Sequence, residues 1–278
     1  MVDISVVEVP QWQGSSVPVA RARRLADGAS LLAAAVPAGH RYTITVPDGA
    51  GAETGEVRGL DVLVEIAAGT RAGIAAADGD LLVTVGGDCG VELAPVSAAA
   101  ARHGDSLAVV WFDAHGDLNT PASSPSHAFH GMILRTLLGE GPGELLPARP
   151  LRPAQVVLAG VRALDAGERA YVMDTGMRHV TVDAFEDPGC VAEAVAATGA
   201  RAVYVHIDLD VLDPEAFASL SYPEPGGITP AQLGAAVRAL TERFELAGLG
   251  ITEYQPDRAQ DQETLRTLVP ELLGVPLP

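Results

Sequence analysis

Short runs that are apolar at nearly every position recur along this chain, and they limit its fold more than any other feature. Leu107–Phe112 reads LAVVWF and Ala202–Ile207 reads AVYVHI. A strand with one wet face alternates apolar and polar residues, whereas a strand apolar throughout has both faces covered, as in a parallel sheet flanked by helices. Further runs of this kind are Ile4–Val9, Tyr42–Val46, Leu81–Val85, Val156–Ala159, His179–Val182 and Leu246–Ile251. Stretches of helical character separate most of them, for example Leu60–Ala77, Val91–His103, Ala166–Asp174, Pro230–Arg243 and Gln262–Leu273. Repeated strand–helix units predict an α/β chain, a three-layer α/β/α sandwich around a mostly parallel sheet of about eight strands, in one domain over residues 1–278. Aromatic residues make up only 4% of the sequence against 48% hydrophobic residues in all, so the core must be built from Ala, Val and Leu. Pro/Gly/Ser-rich segments at Asn119–Ser126 and Ser219–Gly227 read as loops.

Charge narrows the partners. The formal net charge is −18, which repels nucleic acid and anionic membrane, because binding to phosphate needs clustered Lys and Arg. A cationic small molecule or a divalent ion is attracted instead. No apolar run approaches the roughly 18 to 20 residues that span a bilayer, and the N-terminus lacks a basic flank followed by an apolar stretch. The two cysteines, Cys89 and Cys190, do not make a disulfide framework, so a reducing cytoplasm is expected.

In open parallel sheets, ligands bind beyond the carboxyl ends of the strands. Three such ends carry unusual residues: Gly86-Gly87-Asp88-Cys89-Gly90, then Asp113-Ala114-His115-Gly116-Asp117, then His206-Ile207-Asp208-Leu209-Asp210 with Asp213-Pro214 beyond. Alternation in an extended chain puts Asp113, His115 and Asp117 on one side, and Asp208 and Asp210 likewise. Carboxylates packed together repel one another and are costly to desolvate unless a cation holds them. Oxygen and imidazole donors suit Mn²⁺ or another borderline divalent ion, and more carboxylates than one ion needs suggest two. Neither a dinucleotide fingerprint nor a phosphate-cradling loop stands at a strand end.

The ordered motifs Gly86-Gly-Asp, Asp113-Ala-His-Gly-Asp, Ser126-His-Ala-Phe-His-Gly-Met, Asp208-Leu-Asp-Val-Leu-Asp-Pro and Glu253-Tyr-Gln-Pro resemble the signatures of the ureohydrolases, the family of arginases, agmatinases and formiminoglutamases. The resemblance implies a manganese pair on the sheet and hydrolysis of a guanidino C–N bond. Asp113 and Asp208 would bridge the ions, His115 and Asp210 would complete one site, and Asp117 and Cys89 would serve the other. His130 would pass a proton to the leaving amine, and Glu253 would hold the guanidinium. Asp165 and Glu168 match the acids that read the substrate α-amino group, while Asn119, Ser124 and Ser126 fall where the α-carboxylate is read. A cationic amino acid is therefore the expected small-molecule partner, and a homo-oligomer the expected assembly.

Two departures matter. Cys89 stands where the family has histidine, and a thiolate pairs less readily with Mn²⁺ than with Zn²⁺. The manganese site it serves should be weak, unless Cys89 is only a packed thiol; a nucleophilic role is disfavoured because nearby carboxylates raise its pKa. Tyr222 replaces a small hydroxyl residue near the guanidino end of the pocket. A cysteine at this position resembles a branch of the family that acts on Nω-hydroxy-L-arginine and releases hydroxyurea for D-cycloserine synthesis. Alternatives are a urea-forming arginase, another guanidino or formimino acid hydrolase, and a metal-impaired relative without turnover. His127 and His206 are expected beside the ligands, supporting them by hydrogen bonds.

Overall fold

The computed structural model describes residues 2–52 and 56–275. In chain order the elements are β1 (Ile4–Val9), α1 (Val19–Ala35), β2 (His40–Thr43), α2 (Leu60–Ala76), β3 (Leu81–Gly86), α3 (Leu93–His103), β4 (Leu107–Phe112) and α4 (Ile133–Leu137). There follow β5 (Val156–Ala159), α5 (Ala166–Thr175), β6 (Arg178–Val180), α6 (Cys190–Ala196), β7 (Ala202–Asp208), α7 (Pro230–Thr241), β8 (Glu245–Thr252) and α8 (Ala259–Leu272). All 8 strands join one sheet in the order β2-β1-β3-β8-β7-β4-β5-β6, and every pairing is parallel.

Period-two alternation sorts the buried side chains onto two faces. Val110, Phe112, Val203, Val205, Ile207, Val83 and Val85 pack with residues of α1, α6, α7 and α8. Val109, Trp111, Ala202 and Tyr204 point the other way, against α3 and α4 and part of α2. Helices on both faces of a parallel sheet make the expected α/β/α sandwich. None of the helices among the described residues is long and apolar enough to cross a membrane.

The inner strands match their apolar runs to within one residue at each end, whereas the two edge strands are displaced further. β2 covers His40–Thr43 rather than Tyr42–Val46, and β6 covers Arg178–Val180 rather than His179–Val182. The cause is exposure: three of the four β2 residues are exposed, so its limits follow pairing with Ser5–Glu8 of β1 and not a buried apolar run. The segments 119–126 and 219–227 hold no helix or strand, as their composition predicts.

The connection from β3 to β4 passes over two positions that β8 and β7 later fill. The four central strands are therefore β3, β8, β7 and β4, and their carboxyl ends meet above the middle of the sheet.

Candidate metal centre

Each central strand delivers chemistry at its end. A tight turn from Cys89 to Glu92 follows β3, with Asp88 at its start accepting a hydrogen bond from Gly90 N. Asp208 ends β7 and accepts from the Asp210 amide at 2.8 Å, which folds Leu209–Val211 into another tight turn. Asp113 follows β4 and accepts from His115 N at 2.6 Å. Period-two alternation is thus not what gathers these side chains. β4 stops at Phe112, and Asp117 lies in the left-handed region with φ 52°. Local turns held by the carboxylates themselves aim them inward.

Asp113, Asp117, Asp208, Asp210 and Glu253 are all buried. His115 Nδ1 stands 2.9 Å from Asp210 Oδ2 and 3.6 Å from Asp113 Oδ1, and atoms of these three residues are close enough to share an ion. Cys89, Asp208 and Glu253 form another such group; the Cys89 thiol donates to Asp208 Oδ2 at 3.2 Å and lies 3.1 Å from Thr252 Oγ1. Asp117 Oδ2 is buried with no hydrogen-bond partner among the described residues.

Titration behaviour shows how costly this packing is. Burial, then the neighbouring Asp210, pushes the Asp113 carboxyl up to about 6. Burial first, and adjacent aspartates next, raise Asp117 and Asp208 well above the ordinary carboxylate range. Burial would lower the His115 imidazole, but hydrogen bonds and charge from Asp113 and Asp210 outweigh it and raise its pKa. Burial would likewise raise Asp210, yet His115 pulls it below its ordinary value. The Cys89 thiol is driven far up, by burial and then by Asp208 and three further carboxylates. A dication would offset the crowding that raises these carboxyls, and a carboxylate oxygen left unpaired among oxygen and imidazole neighbours suits a hard or borderline divalent ion.

Above this floor opens a cavity of about 330 Å³ lined by His115, Asp117, Asp208, Asp210, His130 and Glu253, with Asn119, Ser124, Ser126, Asp165, Glu168, Tyr222 and Glu224 towards the mouth. Cys89 and Asp113 lie deeper, with 1% and 0% of their surface exposed. Glu253, left-handed at φ 62°, is held by Ser221 Oγ at 2.6 Å and by the Cys89 amide at 3.3 Å. His130 Nδ1 faces Glu253 Oε1 at 3.3 Å and its Nε2 faces Ser16 Oγ at 3.3 Å; Ser16 in turn bonds the Tyr222 hydroxyl. Burial lowers His130, but the hydrogen bond and charge of Glu253 prevail and raise it.

At the mouth, Asn119 Nδ2 donates to Asp165 Oδ2 at 2.9 Å. Glu168 accepts from the Leu118 and Asp165 amides, both at 2.8 Å, so its carboxylate braces the start of α5 as well as lining the wall. His127 departs from expectation: it is exposed, and its ring faces the Glu56 carbonyl at 3.2 Å rather than the carboxylate cluster. Ser16 and Ser221 carry no sequence signal of their own, and the Gly86-Gly-Asp motif marks Asp88 without giving it a role. Asp88 sits under the site, accepting from Gln11 Nε2 at 2.8 Å and Gly14 N at 2.9 Å. It ties the segment that carries Ser16 to the end of β3.

Comparison with known proteins places this geometry. The chain is 34% identical over 182 residues to an arginase of Staphylococcus aureus, covering 63% of this chain and 60% of that one, and so less than two thirds of the relative's length. It is 34% identical over 203 residues to an arginase of Bacillus subtilis, covering 69% and 68%. The solved arginase of Entamoeba histolytica, in complex with L-ornithine, superposes over 99% of both chains with a TM-score of 0.88 and 25% identity. The arginase family profile matches residues 38–272, a span that includes all four central strand ends and every carboxylate at the floor of the cavity, and the chain therefore belongs to the arginase family.

Proposed function

We propose that this chain is a metal-dependent amidinohydrolase that cuts a guanidino C–N bond of arginine or a close arginine derivative. The observation that carries the reading is the convergence of Asp113, Asp117, Asp208, Asp210 and His115 beneath a pocket whose inner wall is the His130–Glu253 pair. Asp113 and Asp208 would be shared between two ions, with His115 and Asp210 on one side and Asp117 and Cys89 on the other; manganese is the proposed metal. When bound, such a pair supplies Lewis acidity and a water acidic enough to attack near neutral pH.

The remaining chemistry belongs to the side chains. Glu253, oriented by Ser221 and the Cys89 amide, presents a carboxylate to the guanidinium, a charge-assisted contact that fixes the reacting carbon over the floor. His130 stands between Glu253 and Ser16, and in this reading its imidazole carries the proton that the departing amine requires. Asp165 would accept the α-ammonium, while Asn119, Ser124 and Ser126 would donate to the α-carboxylate. The Entamoeba arginase is solved with L-ornithine, the amino acid left when arginine loses its amidino carbon, which supports an amino-acid tail in this mouth. Tyr222, bonded to Ser16, narrows the guanidino end.

The finer reading is Nω-hydroxy-L-arginine cleaved to hydroxyurea and ornithine, in a pathway of antibiotic biosynthesis. Its support is Cys89: an N-hydroxyguanidine is less basic and depends less on a fully occupied metal pair than arginine does. A reducing cytoplasm, where Cys89 and Cys190 stay thiols, and a homo-oligomeric assembly complete the proposal. Turnover with arginine, Nω-hydroxyarginine and agmatine, with manganese added, tests it. The highest kcat/KM is expected for Nω-hydroxyarginine and the lowest for agmatine, which has no carboxylate. Preference for arginine would make the chain a urea-forming arginase, and no turnover of any guanidine would leave a non-catalytic relative.

A further inference from the structure

A second buried polar cluster lies behind Cys89. Glu92 is fully buried, and neither of its carboxylate oxygens has a hydrogen-bond partner among the described residues. His206, from β7, is equally buried. Its Nδ1 faces Glu92 Oε2 at 3.5 Å without hydrogen-bond alignment, and its Nε2 faces Cys89 Sγ at 3.7 Å. A carboxylate and an imidazole nitrogen left unpaired in the interior are costly. The fold nevertheless makes room for them: on β8, a Cβ at Gly250 would stand 2.1 Å from Glu92 Oε1. Trp111 stacks on the His206 ring, centroids 3.6 Å apart and planes at 25°, and its indole N–H donates to Asp113 Oδ2 at 3.1 Å. One side chain thus sets both the imidazole plane and the Asp113 carboxylate. Cys89 Sγ, an Asp113 oxygen and a His206 nitrogen all lie within 4.8 Å of one another.

We infer that His206 supplies the imidazole of the metal site beside Cys89, and that this site, ligated by Cys89, Asp113 and His206, takes Zn²⁺ in preference to Mn²⁺, with Glu92 orienting His206. The inference rests on the metal-centre function proposed above and changes one ion's ligands and identity. His206 stands on the same face of β7 as Asp208, two residues earlier, so the strand itself delivers the imidazole that position 89 lacks. Tetrahedral zinc, with Zn–S about 2.3 Å and Zn–N about 2.0 Å, spans an S···N edge of about 3.5 Å, against 3.7 Å between Cys89 and His206. Thiolate with imidazole and carboxylate suits zinc better than manganese. A histidine ligand ordinarily gives its other nitrogen to a carboxylate, and Glu92 is the carboxylate that faces Nδ1. Binding takes the thiol proton, which leaves to solvent.

The test starts from the full chain stripped of metal and given one equivalent of Zn²⁺, with the zinc environment read by X-ray absorption. Sulfur and imidazole scattering from the same zinc are expected. His206→Gln should keep the sulfur, lose the imidazole and weaken zinc at least about tenfold in chelator competition, and Glu92→Gln should weaken it about tenfold. Zinc with sulfur but no imidazole in the wild-type chain would overturn the assignment, as would zinc with imidazole but no sulfur, which would put it beside His115. A chain that binds neither zinc nor manganese would instead bring down the metal-centre function itself. The wild-type spectrum decides even if a variant fails to fold.

Discussion

Asp165 is exposed at the mouth of the cavity, with its carboxylate already accepting from Asn119. If that carboxylate reads an α-ammonium, Asp165→Ala should lower kcat/KM for the amino-acid substrate by several-fold to about tenfold. The loss should be much smaller for the deaminated analogue. Equal losses on the two compounds, measured side by side, would mean that Asp165 only organises the start of α5. Glu168 is the useful contrast: with its oxygens engaged by two backbone amides, its removal should act through folding. Residue types alone could not separate these two acids, because helix starts favour acids whether or not a substrate is near. The backbone contacts separate them.

The elements are positioned by contacts that small residues permit. Gly28 lies within α1, where alanine would ordinarily stabilise a helix by up to about 1 kcal/mol. Here a Cβ would stand 1.8 Å from the Tyr254 carbonyl oxygen, in the segment that follows β8 and Glu253. Gly28→Ala should therefore cost about 1–3 kcal/mol through overpacking, seen as a lower midpoint in urea. An unchanged or higher midpoint would show that α1 can move away from the site at no cost. At this scale the inner strands were legible because a strand covered on both faces must be apolar throughout, as β4 and β7 are. The edge strands were not, since one side of each faces solvent and their ends depend on pairing.

For the molecule as a whole, the acids at the centre link stability to pH and metal. Asp113 is raised to about 6 and Asp88 to about 7, each mainly by burial. A carboxyl whose folded pKa exceeds its unfolded value adds stability that is complete below the unfolded pKa and is lost as pH rises through the folded one. The Tm of the metal-free chain should thus fall between about pH 5 and pH 8. Added divalent metal should flatten or reverse that fall, because its ligands must be deprotonated to bind. A scanning-fluorimetry series with and without chelator checks this; a flat metal-free profile would refute it. Sequence alone determined the strand–helix alternation, the buried parallel sheet and the kinds of side chain gathered at three strand ends, because those are written in local periodicity and side-chain chemistry. Only the tertiary structure decided that β3, β8, β7 and β4 are neighbours, that Asp117 and Glu253 turn inward through left-handed backbone, and that His206 faces Glu92 and Cys89. Strand order is set by how crossover helices pack across the sheet, and no local pattern in the chain records which strand ends will meet.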